Sequence, residues 1–146
     1  MIAYLDTSVL LRLVLREQGA LDELRSCEAL VSSELLAVEA LRTLDRLRLQ
    51  GALSIDEAAS GRAAVTDWLE AVDLVLLQRP ILARASDPFP APLGTLDALH
   101  LATALVWRER MRKKLVLATH DEGLALAARA FGIEVLGVQP LSPEHQ

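Results

Sequence analysis

Ile2-Ala3-Tyr4-Leu5-Asp6-Thr7-Ser8-Val9-Leu10-Leu11-Arg12-Leu13-Val14-Leu15 is the stretch whose reading decides the fold. Its first four residues are an unbroken apolar run, the pattern of a short strand buried on both faces. From Val9 the spacing changes to that of an amphipathic helix, expected to end near Gly19. The same alternation continues outward. A short helix is expected over Ala20 to Ser26 and a strand over Ala29-Leu30-Val31, followed by a long helix capped by Ser32 or Ser33 and running to about Gln50. Ser54 with Glu57 has the form of a capping box, opening a helix through about Glu70, and Val72 to Leu77 reads as a third strand. Pro88, Pro90 and Pro92 make residues 86–94 a loop, expected to be the most mobile segment. Thr95 is placed to cap a helix from Leu96 to about Arg112, Leu115 to Ala118 reads as a fourth strand, Glu122 to Phe131 as a helix, and Ile133 to Leu136 as a fifth strand. Strands alternating with helices throughout predict an α/β fold with a mostly parallel sheet of four to five strands covered by helices.

Composition sets the frame. The chain has 146 residues, 52% hydrophobic and 24% charged, which excludes disorder and predicts one domain over residues 1–146. Cys27 is the only cysteine; it has no internal partner, so a small buried core role and a reducing compartment are expected. Asp6 and Arg12 interrupt the apolar N-terminus before a signal core or membrane span can form, and the expected setting is the cytoplasm, with no membrane partner. A formal net charge of −5 argues against a domain that coats nucleic acid by bulk electrostatics. A nuclease remains open, because an acidic metal site itself contributes several negative charges.

Four acids carry the chemistry. In open parallel sheets ligands bind beyond the carboxyl ends of the strands, and Asp6 directly follows the first strand while Asp121 follows the fourth. Asp97 opens a helix of overwhelmingly apolar composition, so a carboxylate emerging there needs a cation, a donor or a metal. Glu39 lies four residues from Leu35 and three from Leu36, at the border of an apolar stripe. Brought together, such carboxylates raise one another's pKa unless cations neutralise them. Oxygen ligands without a Cys or His pair point to Mg2+ or Mn2+.

The residues at this point resemble the PIN domain family, specifically the VapC-type ribonuclease toxins. Asp6-Thr7-Ser8 is similar to the family's first acidic motif, Glu39 to the second, Leu96-Asp97-Ala98-Leu99-His100-Leu101-Ala102 to the third, and Thr119-His120-Asp121 to the fourth. His120 stands where an apolar or aromatic residue is expected. The resemblance implies a three-layer α/β/α fold, cleavage of RNA, a cognate antitoxin protein and a homodimer. It further implies Asp6 and Asp97 as principal metal ligands, with Glu39 and Asp121 as further ligands or water-positioning groups. Thr7, Ser8 and Thr119 are then expected to donate hydrogen bonds that orient those carboxylates.

Each residue also has a plainer reading. Asp6 suits a strand-end turn, Glu39 suits a pair with Arg42, Asp97 suits the helix dipole, and Asp121 suits an N-cap. His100, on so apolar a helix, is expected to be packed rather than catalytic. Arg108, Arg110, Arg112, Lys113 and Lys114 read as a solvated helix end, while Arg42 is placed to approach an RNA backbone. Tyr4, Trp68 and Trp107 are expected in the core or an interface, and aromatics at 3% offer no base-stacking platform. The N-terminal helices and Ile55 to Leu69 are apolar enough to form a groove for a partner helix or a second copy. Two rivals stand beside the nuclease. A phosphatase forming an aspartyl-phosphate on Asp6 needs an acid at position 8, which is Ser; a PIN-like module that holds RNA or protein without cutting needs no metal.

Overall fold

The computed structural model describes residues 1–142; residues 143–146 of the expected domain lie outside the described residues. Five strands, β1 (Ile2–Leu5), β2 (Ala29–Ser33), β3 (Val72–Val75), β4 (Val116–Ala118) and β5 (Glu134–Leu136), form one sheet in the order β3-β2-β1-β4-β5. All four strand pairs are parallel. The helices are α1 (Thr7–Val14), α2 (Leu35–Leu49), α3 (Ile55–Glu70), α4 (Arg79–Ala85), α5 (Thr95–Met111) and α6 (Glu122–Ala130), with a 3-10 turn over Asp22–Ser26.

The central strand separates two cores because successive side chains leave it on opposite faces. Ala3 and Leu5 join Val9, Leu10 and Leu13 of α1, Leu36, Ala40 and Leu44 of α2, and Val65 of α3. Ile2 and Tyr4 join Leu101, Ala104 and Leu105 of α5 with Leu124, Ala127 and Ala128 of α6. This is the expected three-layer arrangement. A buried leucine contributes about 1.5–3 kcal/mol, and truncating one to alanine costs about 2–5 kcal/mol once the cavity is included. Leu5, Leu10, Leu36 and Leu44 on one side, and Leu101, Leu105 and Leu124 on the other, therefore hold the layers.

α5 is buried on nearly every side, from His100 through Val106. The reason is α4, whose Ile81 packs on Ala102 and Val106. Sequence periodicity leaves this seven-residue helix unassigned, since it is too short to show a face; Pro80 sits in its first turn, where a missing N–H is harmless.

Several boundaries differ from expectation. α1 stops at Val14, not near Gly19, because Arg16 takes the left-handed conformation (φ 53°) and Glu17 N–H donates back to the Arg12 carbonyl (2.9 Å). A glycine usually marks such a stop; an arginine gives no signal. α2 starts after Glu34, so neither Ser32 nor Ser33 is its N-cap, although Ser33 Oγ accepts from Leu35 N–H (3.2 Å). Thr95 is the first residue of α5, and Gly94 occupies the cap position without a side chain to offer. β3 ends at Val75, since Glu34 Oε1 captures Leu77 N–H (2.9 Å) and draws the chain away from the ladder. Cys27 is partly exposed at the edge of the first core rather than buried. The capping box at Ser54 and Glu57 is present as expected. The proline-rich loop is anchored: Phe89, Ala91 and Leu93 pack against the second core, and the Arg84 guanidinium lies over the Phe89 and Phe131 rings.

Candidate active site

Asp6 is fixed by its backbone before its side chain is considered. Its N–H donates to the Ala118 carbonyl of β4 (3.0 Å), and its carbonyl accepts from Val9 and Leu10 in the first turn of α1 (3.1 and 3.3 Å). The side chain is only 5% exposed, a position a carboxylate tolerates when donors surround it. Oδ2 accepts from Ser8 Oγ (2.6 Å) and Thr119 Oγ1 (2.9 Å). Those hydroxyls in turn accept backbone N–H groups, Ser8 Oγ from His120 (3.1 Å) and Thr119 Oγ1 from Asp121 (3.0 Å). Two hydroxyls thus stitch the ends of β1 and β4 together where the strand order reverses, the position at which open α/β sheets bind ligands.

Thr7 does not share this task. Its Oγ1 is buried and has no hydrogen-bond partner among the described residues. Ser8 and Thr119 already occupy both lone-pair positions of Asp6 Oδ2, which leaves Thr7 nothing to donate to there. Asp121 combines two roles: its Oδ1 caps α6 by accepting from Leu124 N–H (2.7 Å), and the residue itself is exposed at the mouth of the crevice. His120 packs half-buried over Gly137, its Nδ1 3.3 Å from the Gly137 carbonyl oxygen. Gly137 is conformationally required, with φ 98° and a hypothetical Cβ only 2.2 Å from the Thr119 carbonyl oxygen.

Glu39 reaches the site from α2. Its Oε1 lies 2.6 Å from His100 Nε2, and that nitrogen is 4.0 Å from Asp6 Oδ1. The expected pair with Arg42 is absent; Arg42 binds Asp45 instead (3.0 Å). His100 Nδ1 is 2.7 Å from the Tyr4 hydroxyl, whose oxygen accepts Ser33 N–H (3.1 Å). Burial raises the Tyr4 pKa far above its usual value, so the phenol keeps its proton. Burial pushes the His100 imidazole down, but the hydrogen bond it donates to Glu39 and the charges of Asp6, Glu39 and Asp97 outweigh it, and the net shift is upward. His100 is buried, as expected, yet more than packed. The sequence places Tyr4 only in the core or an interface, although a buried tyrosine hydroxyl needs a partner.

Asp97, half-buried in the first turn of α5, shows that the four acids share one electrostatic environment. Burial raises its pKa to about 6, helped by the charges of Asp121, Asp6 and Glu39 and opposed by His100. The carboxylates feel one another without being drawn tight: among the described residues, no three His, Cys, Asp or Glu side chains stand close enough to chelate an ion as they are. The basic run lies elsewhere. Arg108 donates to the Phe131 carbonyl (2.8 Å) and Lys114 pairs with Glu134 (2.9 Å). These residues close the far end of α5, roughly 20 Å from Asp97 at 1.5 Å per residue.

Comparison with known proteins agrees with this architecture. A family model described as PIN domain matches residues 3–130. The chain is 34% identical over 137 residues to Ribonuclease VapC46 of Mycobacterium tuberculosis, covering 91% of this chain and 95% of that protein. Among solved structures it resembles a toxin–antitoxin complex from Klebsiella pneumoniae, with a TM-score of 0.63 at 17% identity over 94% of this chain and 99% of that one. It also resembles VapBC2 from Rickettsia felis bound to a promoter DNA fragment, with a TM-score of 0.66 at 10% identity over 93% and 98% of the two chains. At those identities the structures speak to the fold alone. The family match runs from the strand that carries Asp6 to the helix that Asp121 caps, and on that match the chain belongs to the PIN domain family.

Proposed function

We propose that this chain is a Mg2+- or Mn2+-dependent endoribonuclease, the toxin of a toxin–antitoxin pair, hydrolysing RNA phosphodiester bonds at Asp6, Glu39, Asp97 and Asp121. The observation that carries the reading is the convergence of acids from separate elements: His100 Nε2 lies 2.6 Å from Glu39 and 4.0 Å from Asp6, and burial together with the charges of Asp121, Asp6 and Glu39 pushes the Asp97 carboxyl up. Such a group gains most from a cation. The donors fit a hard divalent ion by chemistry, being carboxylate oxygens with no thiolate among them, and the buried Thr7 Oγ1 next to Asp6 in the chain has no hydrogen-bond partner among the described residues. Asp6 and Asp97 would hold the metal, with Glu39 and Asp121 as further ligands or water-positioning groups. A bound divalent ion supplies charge against a phosphodiester oxygen and makes a water more acidic. The chain supplies the rest: Ser8 and Thr119 orient Asp6, His100 restrains Glu39, and α5 presents Asp97 from its first turn.

The ribonuclease name of the 34% identical relative supports RNA as the substrate class. Toxin–antitoxin assignments of the structural neighbours support an antitoxin partner, and a groove of about 750 Å3 between α1, α2 and α3 suits it. Leu13, Leu47, Leu53 and Trp68 line this groove together with Arg16, Arg25, Glu17, Asp56 and Glu57, a surface that an amphipathic helix with flanks of both charges would fill. Exposed Leu76, Leu82 and Leu96, on or beside α4 and the start of α5, support a homodimer through a different face. Among the described residues no helix is long and apolar enough to cross a membrane, in keeping with a cytoplasmic protein.

The test is incubation of purified protein with structured RNA and Mn2+, with and without chelator, beside Asp6→Asn and Asp97→Asn. Cleavage that persists in both variants defeats the proposal. Calorimetry in which wild type takes up no Mn2+ favours the module that binds without cutting.

A further inference from the structure

We propose that Tyr4 and His100 form a buried positioning relay that fixes how Glu39 presents its carboxylate, an inference that rests on the nuclease reading above. Glutamate on a helix has three free torsions, and nothing on α2 itself restrains this one, since Arg42 is engaged by Asp45. The restraint comes from across the sheet. Glu39 Oε1 is held at 2.6 Å by His100 Nε2 from α5, which is separated from it by 61 residues in sequence. The ring is held at 2.7 Å by the hydroxyl of Tyr4 in β1, and that hydroxyl is held by Ser33 N–H at the end of β2. Ser32 Oγ, beside it, ties β2 to the Leu5 carbonyl of β1 (2.7 Å). The carboxylate is therefore referenced to the two strands that carry and flank Asp6, not to its own helix.

The direction of the bonds follows from the donor inventory. In the neutral ring, the Tyr4 hydroxyl donates to Nδ1 and the proton sits on Nε2; in the charged ring Nε2 also carries a proton. In either state Nε2–H points its hydrogen bond at Glu39. One oxygen of Glu39 is thereby committed to the relay, and among the described residues no protein group hydrogen-bonds Oε2, which is left for the site. His100 and Tyr4 are both fully buried, so neither touches substrate; they act through Glu39.

The relay distinguishes two amides that a merely structural role would not. Glutamine at position 100 places an N–H near the Nε2 position, whereas asparagine places one near Nδ1. His100→Asn is expected to lower kcat for Mn2+-supported RNA cleavage roughly 10- to 100-fold with KM little changed, the usual loss when a group supporting a metal ligand is removed, and to weaken Mn2+ binding in calorimetry. His100→Gln is expected to recover most of both. A 15N spectrum of the histidines should show a protonated Nε2 at His100 in wild type, kept in Tyr4→Phe because the Glu39 carboxylate only accepts, with the Nδ1 resonance shifted by loss of the Tyr4 hydroxyl. Equal activity of the Asn and Gln variants, or an unprotonated Nε2 in wild type, overturns the relay. Wild-type protein that neither binds Mn2+ nor cuts RNA would instead sink the nuclease reading, and the relay is then judged by the nitrogen spectra of wild type and Tyr4→Phe.

Discussion

Replacing Thr119 by valine removes one oxygen and keeps the shape of the side chain, yet that oxygen joins two of the four acids. Its hydroxyl donates to the buried Asp6 carboxylate at 2.9 Å and accepts the Asp121 N–H at 3.0 Å. A hydrogen bond to a charged group contributes about 1.5–3 kcal/mol, and the neutral bond to the backbone about 0.5–1.5 kcal/mol. Asp121 is exposed, so water recovers part of the second. The expected destabilisation is about 2–4 kcal/mol, read in urea as a lower midpoint with an unchanged m-value. Thr119→Ser keeps the oxygen and gives up only a buried methyl, for about 0.5–1.5 kcal/mol. If the valine variant lies within about 0.5 kcal/mol of wild type, the range of an ordinary surface change, or if serine is worse than valine, the hydroxyl does not brace the site and the reasoning fails.

Other outcomes follow from the same geometry. Asp97 has a folded-state pKa of about 6, above the unfolded value of about 3.9, so its contribution to stability is complete below about pH 4 and is lost as pH rises through 6. Without metal, Asp97→Asn should therefore unfold at higher urea than wild type at pH 7.5 while matching it near pH 4, and a destabilised variant at pH 7.5 would contradict the shift. Added Mn2+ should reverse that ranking, because a ligand present at a hundred times its Kd stabilises by about 2.7 kcal/mol and the Asn variant binds it poorly; a thermal melt with and without chelator reads this. Gly137→Ala should lose at least about 1–3 kcal/mol for a left-handed backbone alone, and cleavage activity with it, since the new methyl group meets the Thr119 carbonyl. Ala64→Glu, in the groove between α1, α2 and α3, should leave RNA cleavage intact while abolishing neutralisation by the antitoxin, checked by mixing the two proteins before adding RNA.

Much of this architecture was legible in the residues because local and long-range signals agree. Ile2 to Leu5 reads as a doubly buried strand and is one, and Asp6 follows it at the sheet's carboxyl edge. Apolar composition all round the helix that begins at Thr95 announced its burial. What stayed hidden needed information from distant chain. The stop of α1 at Arg16 is a backbone choice that side-chain type does not reveal. Glu39 pairs with His100 and not with Arg42 because α5 packs against β2 and the Tyr4 hydroxyl holds the ring there; helical spacing alone favours the local arginine. Thr7 and Ser8 look interchangeable as orienting hydroxyls, and only the geometry shows that Ser8 reaches the carboxylate and Thr7 does not.

The pairing of β1 with β4 also bears on how the candidate site is assembled. The N–H partner of Asp6 is Ala118, and one of its two bracing hydroxyls belongs to Thr119, 113 residues later in the chain. Closing so long a loop is entropically costly, so the contact forms with the sheet as a whole and not locally. A chain cut before β4 would leave Asp6 without its backbone anchor and with only Ser8 of its two hydroxyl partners, so the candidate site is assembled by the pairing of β1 with β4 and not by either segment alone.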